Sequence, residues 1–438
     1  MIDKRIRLRI QSHTRPMAVL GKLPDGPRSL DEQHAWCDDT LQRLLGRGLV
    51  AKWMSHTHLN VTIKWAGLGG MAMGFLYAQH SISKVEHPPL RFSLHSVTDY
   101  DATCQGLLKA YDCQCCFADL LGLSDSGFVT LIKDKQSALR GLYEKAPAAT
   151  KSETKYKMIH KFKDFMLENA HKMKPSDVQH CLKHGCCCKL YPDAGENEAW
   201  CECVSPSCIH WSSQGARAQW LGSENIPLLV WAISCRVRCA DIVHLECTQQ
   251  LDLEFLTALS AGRLVWFSKV LCPLDIGIPA TGRRLWATAA TGEFIYKENP
   301  YSDCNLTSCV LRKAVGSPLM WCWSTQLQVN AYLDMVNASR DKIPLHPRGK
   351  RYRAEDYIGQ SYSGRLFAHR LKAVQCRKEE PALTNVPFFF DISQNVHWSR
   401  KPTGVLPRPL TGSTIWVESL ERPMLPVEVL SAQGIFFV

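Results

Sequence analysis

The alternation of apolar and polar positions between residues 204 and 248 predicts a strand, a loop, a helix and a second strand. The helix is the apolar run at residues 226–233, and the second strand, at residues 240–245, ends beside Glu246. The loop after the first strand carries Cys208. Because the strands of such a unit run parallel, Cys208 and Glu246 are expected at one edge of the sheet, where α/β proteins bind ligands. A thiol beside a carboxylate there indicates covalent catalysis.

The same alternation is found earlier in the chain. Residues 59–70 predict a strand and a glycine-rich turn, and residues 91–97 and 115–119 predict two further strands. Such a turn at a helix N-terminus lets a cofactor approach backbone N–H groups, and Asp99, after the second strand, lies where a ribose is held. The third strand ends at Asp119. The alternatives are an ordinary tight turn and acids that cap helices.

Residues 124–200 interrupt this alternation. Residues 151–173 have helical periodicity and many lysines, which predicts a helical insertion at the surface. A cluster of cysteines with a histidine follows at residues 181–203, and sulfur and imidazole are zinc ligands. The spacing is not that of two C-x-x-C knuckles, so buried or free thiols are the alternative. The zinc candidates are Cys181, His184, Cys186, Cys201 and Cys203.

Beyond residue 300 the strand–helix alternation ends and basic residues mix with aromatic ones. This mixture suits a nucleic-acid surface, because cations hold phosphates and aromatic rings stack on bases. A solvated basic loop region is the alternative. The nucleic-acid candidates here are Arg348, Lys350, Arg351 and Arg353. Arg283 is a further candidate before this region, because it is one of two adjacent arginines that could reach a phosphate, with an ordinary surface pair as the alternative.

Composition narrows the class of protein. The chain has 438 residues, of which 45% are hydrophobic and 21% charged, so a sizeable core is expected and extensive disorder is not. We find no apolar run that could span a bilayer and no secretory signal. The 20 cysteines are therefore interpreted as reduced thiols of an intracellular protein. The net charge of +11 favours a polyanionic partner.

In order, these motifs resemble those of the cytosine-5 DNA methyltransferase family, which has a tRNA-modifying branch. Residues 65–70 resemble its Phe-Ala-Gly-x-Gly-Gly turn, and residues 207–212 its Pro-Cys-x-x-Phe-Ser loop. Residues 246–248 stand at its Glu-Asn-Val position, and residues 275–284 resemble its Gly-x-Pro-Gln-x-Arg-x-Arg segment. Residues 425–434 resemble the segment that follows its target-recognition region. Asp99 and Asp119 are 20 residues apart, and Cys208 and Glu246 are 38 apart, close to the family separations.

The resemblance implies an α/β, Rossmann-like methyltransferase fold that uses S-adenosylmethionine, with a cysteine-rich helical insertion and a smaller target-recognition region. Cys208 would add to carbon 6 of cytosine, Glu246 would hold ring nitrogen 3, and Arg284 would contact the base carbonyl. DNA, or alternatively tRNA, is the implied partner, and the nucleus the implied location; the oligomeric state stays open. The implied cofactor-binding residues are Trp65, Ala66, Gly67, Leu68, Gly69, Gly70, Asp99, Tyr100, Asp119 and Leu120.

The implied organisation is a leader at residues 1–58, a catalytic domain at 59–300 with an insertion at about 124–200, a target-recognition region at 301–420, and a truncated family motif at 421–438. The family's late Gly-Asn-x-x-x-Pro motif is expected to be absent.

The chain also departs from the family pattern at Ser207, Cys247 and Gly282, where the family has proline, asparagine and arginine. Two alternatives to an active enzyme therefore stay open. One is a catalytically impaired relative that binds nucleic acid. The other is a zinc-stabilised nucleic-acid-binding protein unrelated to methyl transfer.

Overall fold

In a computed structural model of the protein, the described residues form two compact units. The first is drawn from Cys37–Leu271 and Arg283–Cys309, and the second from Met17–Trp36, Cys272–Gly282 and Val310–Val438. The structure describes residues 23–36, 38–40, 43, 57–67, 70–84, 90–193, 195, 198–212, 215, 217–291, 299–302, 310–338, 358, 360–396, 404–409 and 413–433.

Twelve strands and ten α-helices are defined in the described ranges, along with short 3₁₀ turns. The strands are β1 Thr57–Lys64, β2 Leu90–Thr98, β3 Cys115–Phe117, β4 Val178–His180, β5 Cys187–Lys189, β6 Glu198–Val204, β7 Ile242–Cys247, β8 Trp266–Leu271, β9 Arg284–Ala290, β10 Phe389–Asp391, β11 Ile415–Val417 and β12 Arg422–Pro423. The helices are α1 Leu30–His34, α2 Gly70–Ser83, α3 Ala102–Leu108, α4 Ser126–Glu144, α5 Lys151–Asn169, α6 Ile226–Ser234, α7 Leu253–Leu259, α8 Gln326–Ala338, α9 Gln360–Glu379 and α10 Pro426–Ala432. No helix in these ranges is long and apolar enough to cross a lipid bilayer.

A seven-stranded sheet organises the first unit. Its strand order is β3-β2-β1-β6-β7-β9-β8. The first five strands are parallel, and β9 runs antiparallel to both of its neighbours. The order reverses between β1 and β6, which places a ligand crevice at their carboxyl ends. This mostly parallel sheet, with one reversed strand near an edge, is an α/β, Rossmann-like architecture, as the sequence predicts.

Apolar side chains cover both faces of this sheet. The larger cluster joins the sheet to α4, α5, α6 and α7, and the smaller one includes the buried Ala72 of α2 and Leu108 of α3. The first unit therefore has helices on both faces of a mostly parallel sheet, as such sheets require.

Helices α4 and α5 belong to the core of this unit. The sequence predicts that residues 151–173 form a surface insertion, but Met158, Phe162 and Met166 of α5 are buried in the larger cluster, at helical spacing. Of the lysines between them, Lys161 is exposed, whereas Lys163 is partly buried and pairs with Asp252 at 2.8 Å. Together the two helices carry the chain from edge strand β3 to central strand β6, which is the crossover that the strand order demands.

A buried ion pair joins the two central strands. Lys64, the last residue of β1, lies 3.8 Å from Glu202 of β6, with side chains 1% and 0% exposed. The Glu202 carboxylate also accepts hydrogen bonds from the Tyr191 hydroxyl at 2.6 Å and the Trp231 indole N–H at 2.9 Å. Burial lowers the pKa of Lys64, and the nearby Glu202 carboxylate only partly offsets this effect.

The second unit contains the antiparallel sheet β10-β11-β12 and helices α1, α8, α9 and α10. Several basic residues of α9 are used for packing. Arg365 and Lys372 donate to the backbone carbonyls of Ser393 and Val396, and the buried His369 stacks on Phe390. These side chains therefore stabilise the loop after β10 instead of forming an open basic surface.

A second buried ion pair holds the end of this unit. Arg422 donates to both carboxylate oxygens of Glu428 at 2.7 and 2.8 Å, and Glu428 is 0% exposed. The backbone amides of Leu425 and Ser324 donate to the same carboxylate at 2.9 and 3.0 Å. Burial raises the pKa of Glu428, but these donors outweigh it and leave the pKa below 4.5.

We expect Glu202→Gln to destabilise the first unit more than Lys64→Met does. Glu202→Gln leaves a buried ammonium without its counter-charge, a change that costs about 3–5 kcal/mol. Lys64→Met leaves a carboxylate that keeps its two hydrogen-bond donors, so the loss is smaller. Urea unfolding followed by circular dichroism measures both, and equal losses would contradict this account of the pair.

The contribution of Glu428 to stability should depend on pH. Its pKa is lowered in the folded state, so the carboxylate stabilises the fold above about pH 4.5, and this stabilisation is lost as the pH falls through the folded-state pKa. At pH 7, Glu428→Gln is expected to cost about 3–5 kcal/mol, and the difference from wild type should shrink below pH 4.5. Hydrogen exchange of the Ser324 and Leu425 amides reports on this unit. Glu421→Gln, an exposed neighbour, is the control, and a pH-independent difference would refute the assignment.

Candidate active site

The loop after β1 is held in a strained conformation. Trp65 and Gly67 both have φ of 55°, a left-handed conformation that costs energy for a residue with a side chain. The Asp99 carboxylate fixes the loop, because it accepts hydrogen bonds from the Gly67 amide at 2.7 Å and the Asp101 amide at 2.9 Å. The acid predicted to hold a ribose is thus also what shapes the glycine turn.

A second polar residue follows β3. Asp119 is the N-cap of the 3₁₀ turn Leu120–Leu123 and accepts a hydrogen bond from the Leu121 amide at 3.0 Å. This is the capping role that was considered for Asp119 as an alternative to ligand binding. Capping does not exclude ligand binding, because Asp119 and the buried Leu120 also line a cavity.

The carboxyl ends of β1, β2, β3 and β6 surround one cavity of about 520 Å³, a size typical of cofactor and substrate sites. Five of the predicted cofactor residues line it, and so does Ser207, the neighbour of Cys208. Those five residues are Trp65, Asp99, Tyr100, Asp119 and Leu120.

One wall of the cavity comes from α4, and sequence reasoning missed it. Lys133, Gln136 and Arg140 line the cavity at helical spacing. Gln136 is buried and donates to the carbonyls of Trp220 and Gly222, so it joins α4 to the loop before α6. The polar stripe at intervals of three and four residues in an amphipathic helix was the available signal.

The loop after β6 carries Cys208. Its backbone carbonyl accepts hydrogen bonds from the amides of Trp211 at 3.0 Å and Ser212 at 2.8 Å, which makes a tight turn directly after the cysteine. The Trp211 indole donates to Asn225 at 2.8 Å. Cys208 is half-buried and packs against the larger core.

Glu246 and Arg284 form an ion pair at the end of β7. The Arg284 Nε lies 2.5 Å from Glu246 Oε1, and both side chains are about one-fifth exposed. The Ser205 hydroxyl donates to Glu246 Oε2 at 2.7 Å. Ser205 is three residues before Cys208, so the cysteine loop, the acid and the arginine are linked through one hydrogen bond and one ion pair. Nothing in the local pattern had marked Ser205.

Cys247 stands where the resembling family has an asparagine that braces the cysteine loop. Its thiol contacts the Pro206 carbonyl at 4.0 Å, a weak version of such a brace. Burial, and then the adjacent Glu246 carboxylate, raise the pKa of Cys247 to about 12. It therefore stays protonated near neutral pH and can donate that weak bond.

The remaining candidates are scattered. Ala66 is buried behind the loop, and Gly70 begins α2. Arg283 is exposed just before β9. Outside the described residues lie Leu68, Gly69, Arg348, Lys350, Arg351 and Arg353.

The zinc candidates separate into two places. Cys201 and Cys203 are buried on β6, where Cys201 contacts Cys203 and His244 of β7. Cys181 and His184 lie around the β4–β5 hairpin, and Cys186 is exposed in its turn. The five predicted zinc candidates therefore do not meet at one site, and Cys186, Cys201 and Cys203 are outside the one group of potential metal ligands found in the described residues.

No protein-family model and no curated protein matches the chain. Its structure is similar to that of the S. pombe Dnmt2 methyltransferase, with 13% identity over 60% of this chain and 59% of that chain and a TM-score of 0.33. A mutant of Spodoptera frugiperda DNMT2 gives 12% identity over 55% and 52%, with a TM-score of 0.28. A protein described as an E. coli prophage DNA modification methyltransferase gives 11% over 86% and 89%, with a TM-score of 0.39. The chain thus spans just over half the length of the two Dnmt2 structures.

Asp99→Asn should loosen the glycine turn. An asparagine oxygen can accept only one of the two amide hydrogen bonds, and its NH₂ group would face the other donor. We expect hydrogen exchange of the Gly67 amide to accelerate by roughly tenfold or more. Asp101→Asn is the matched control, because asparagine also caps helices well and Asp101 has no bond to Gly67. Unchanged Gly67 exchange in Asp99→Asn would show that another contact holds the turn.

Proposed function

We propose that this protein transfers a methyl group from S-adenosylmethionine to carbon 5 of cytosine in DNA. One observation carries the proposal. A cavity of cofactor size lies where the strand order reverses, at the carboxyl ends of β1 and β6. It extends from Asp99 and Asp119 to Ser207, directly beside Cys208. Methyl donor and nucleophile need this adjacency, because the two must approach the same base.

The residues around the cavity fit the cofactor. S-adenosylmethionine supplies an electrophilic methyl group on a positively charged sulfur. Asp99 and Asp119 present carboxylates that can accept bonds from ribose hydroxyls and the adenine amine. Trp65 and Leu120 give apolar surface for the purine ring. Trp65 is in the left-handed conformation, a strain that is typical of ligand sites.

Cys208 is the proposed nucleophile. Its thiolate adds to carbon 6 of the ring, which makes carbon 5 electron-rich enough to take the methyl group. A base then removes the proton from carbon 5, the carbon–sulfur bond breaks and the thiolate is released. A target in duplex DNA has to be turned out of its stack to reach the cysteine.

Glu246 and Arg284 are proposed to hold the base during this addition. Glu246 contacts ring nitrogen 3, where charge develops as sulfur adds, and Arg284 contacts the neighbouring carbonyl. The observed ion pair at 2.5 Å and the Ser205 bond at 2.7 Å keep the carboxyl group oriented toward the cysteine loop. Preorganised groups of this kind stabilise a transition state without having to rearrange.

Nucleic acid as the substrate is supported by the net charge of +11. The exposed Arg283 is a candidate phosphate contact next to Arg284. Transfer to tRNA instead of DNA is an outcome of the same assay. The proposed nuclear location follows only from the proposed DNA substrate.

A second candidate function is nucleic-acid binding without catalysis. The weak contact of Cys247 with Pro206 favours it, since a loop without a strong brace positions its nucleophile poorly. Calorimetry separates the two, because an impaired relative of this kind would lack tight binding of S-adenosylmethionine.

The test is transfer of labelled methyl groups from S-adenosylmethionine to DNA and, in a parallel arm, to tRNA. We expect Cys208→Ala to abolish transfer, a loss of more than about a thousandfold, because the addition step has no other nucleophile. Cys239→Ala, another half-buried cysteine of the same unit, should leave the rate unchanged. DNA that contains 5-fluorocytosine should trap wild type covalently, since carbon 5 then carries fluorine in place of the proton that the base must remove before the carbon–sulfur bond can break. It should not trap Cys208→Ala.

Two results would count against the proposal. Retained activity in Cys208→Ala would rule out the covalent mechanism. Failure of wild type to bind S-adenosylmethionine or to modify either nucleic acid would leave the non-catalytic function as the better account.

A further inference from the structure

The structure brings three cysteines and one histidine together on the edge of the sheet. Their ligand atoms all lie within 4.8 Å of one another, and they come from β3, the turn after β4, and β5. We propose that these four residues bind one structural zinc ion. The four residues are Cys115, Cys181, His184 and Cys188.

The distances fit a tetrahedral zinc site. Zinc–sulfur and zinc–nitrogen bonds of about 2.3 and 2.0–2.1 Å place neighbouring ligand atoms about 3.5–3.8 Å apart in a tetrahedron. His184 Nδ1 lies 3.8 Å from Cys115 Sγ and 3.3 Å from Cys188 Sγ. The atoms therefore already stand close to the corners of a coordination shell, and little movement is needed to close it.

The turn that carries two of the ligands is built by the backbone. The Cys181 amide donates to the Cys186 carbonyl at 2.8 Å, and the Gly185 amide donates to the Cys181 carbonyl at 2.8 Å. Gly185 has φ of 66°, a conformation that glycine adopts without steric cost. This turn brings Cys181 and His184 to the same side of the hairpin before any ion binds.

The ligand types select zinc and a structural role. Three thiolates and one imidazole complete a closed four-coordinate shell, whereas catalytic zinc keeps one position for water or substrate. Soft sulfur ligands disfavour magnesium and calcium, which prefer oxygen. The spacing Cys-x-x-His-x-x-x-Cys at residues 181–188 is local, but Cys115 lies 66 residues before it.

The ion would tie the cysteine-rich hairpin to the edge of the sheet. Cys181 forms a β-bridge with Phe117, and the Leu182 amide donates to the Cys116 carbonyl at 2.7 Å, so the hairpin covers the open edge of β3. The same hairpin contacts the wall of the cavity, where the Gln179 side chain donates to the Asp119 carbonyl. Zinc binding is independent of methyl transfer, so a failure of either proposal leaves the other standing.

The first experiment measures zinc in the full chain, purified from zinc-supplemented medium without chelators. We expect one zinc per chain in wild type. His184→Ala and Cys188→Ser remove ligands that are exposed or half-buried, so the fold should survive. Each should weaken zinc binding by at least the 10- to 100-fold typical of losing a supporting partner of a metal ligand.

Neighbouring residues provide matched controls. His180→Ala and Cys186→Ser change exposed residues of the same hairpin that are outside the four-residue cluster. Both should keep one zinc per chain. Wild type without zinc, or equal zinc in His184→Ala and wild type, would overturn the proposal. A disulfide among the three cysteines of freshly prepared protein would overturn it too.

A measurement on wild type alone guards against variants that fail to fold. Zinc is exchanged for Co²⁺, whose absorption spectrum reports ligand type and geometry. We expect visible bands of a tetrahedral site with strong thiolate-to-cobalt charge transfer. An octahedral spectrum, or one without charge transfer from thiolates, would exclude this ligand set.

Discussion

The buried pair of Lys64 and Glu202 is the constraint around which the first unit is built. It joins the last residue of β1 to the middle of β6 at the point where the strand order reverses. An ammonium can stay in such a place only with a counter-charge, and the carboxylate is in turn held by Tyr191 and Trp231. The register of the two central strands therefore cannot slip without separating two buried charges.

The register of β1 and β6 fixes the positions from which the loops after these two strands begin. The chain leaves β1 at Trp65 and β6 at Ser205, and the Ser205 amide still donates to the Lys64 carbonyl at 3.3 Å. The glycine turn and the cysteine loop thus start from adjacent, fixed positions. One opens onto the cavity through Trp65, and the other reaches it through Ser207 and reaches Glu246 through Ser205. A rigid sheet with irregular loops at its carboxyl edge is how α/β proteins place reactive groups.

The cysteines of the first unit differ in burial and position, and different roles are proposed for them accordingly. Cys208 is half-buried beside the cavity, whereas Cys247 is buried with its pKa raised to about 12 and is suited only to bracing. Cys181 is buried beside Cys115 and Cys188, its partners in the proposed zinc site at the edge of the sheet. The proposed nucleophile, the bracing thiol and the proposed zinc ligands therefore differ in their surroundings, and burial by itself disfavours the thiolate form.

Sequence periodicity alone determined the order and type of the main elements. The helix predicted at residues 226–233 is observed at Ile226–Ser234, and the strand predicted at residues 240–245 is observed at Ile242–Cys247. The parallel pairing of β6 and β7 followed from the same local pattern. Only the tertiary structure decided the partners of Lys64, the contact of Arg284 with Glu246, and the meeting of Cys115 with Cys181. Apolar periodicity records which face of an element is buried, whereas contacts between distant residues depend on strand register and crossover path, which no local pattern encodes.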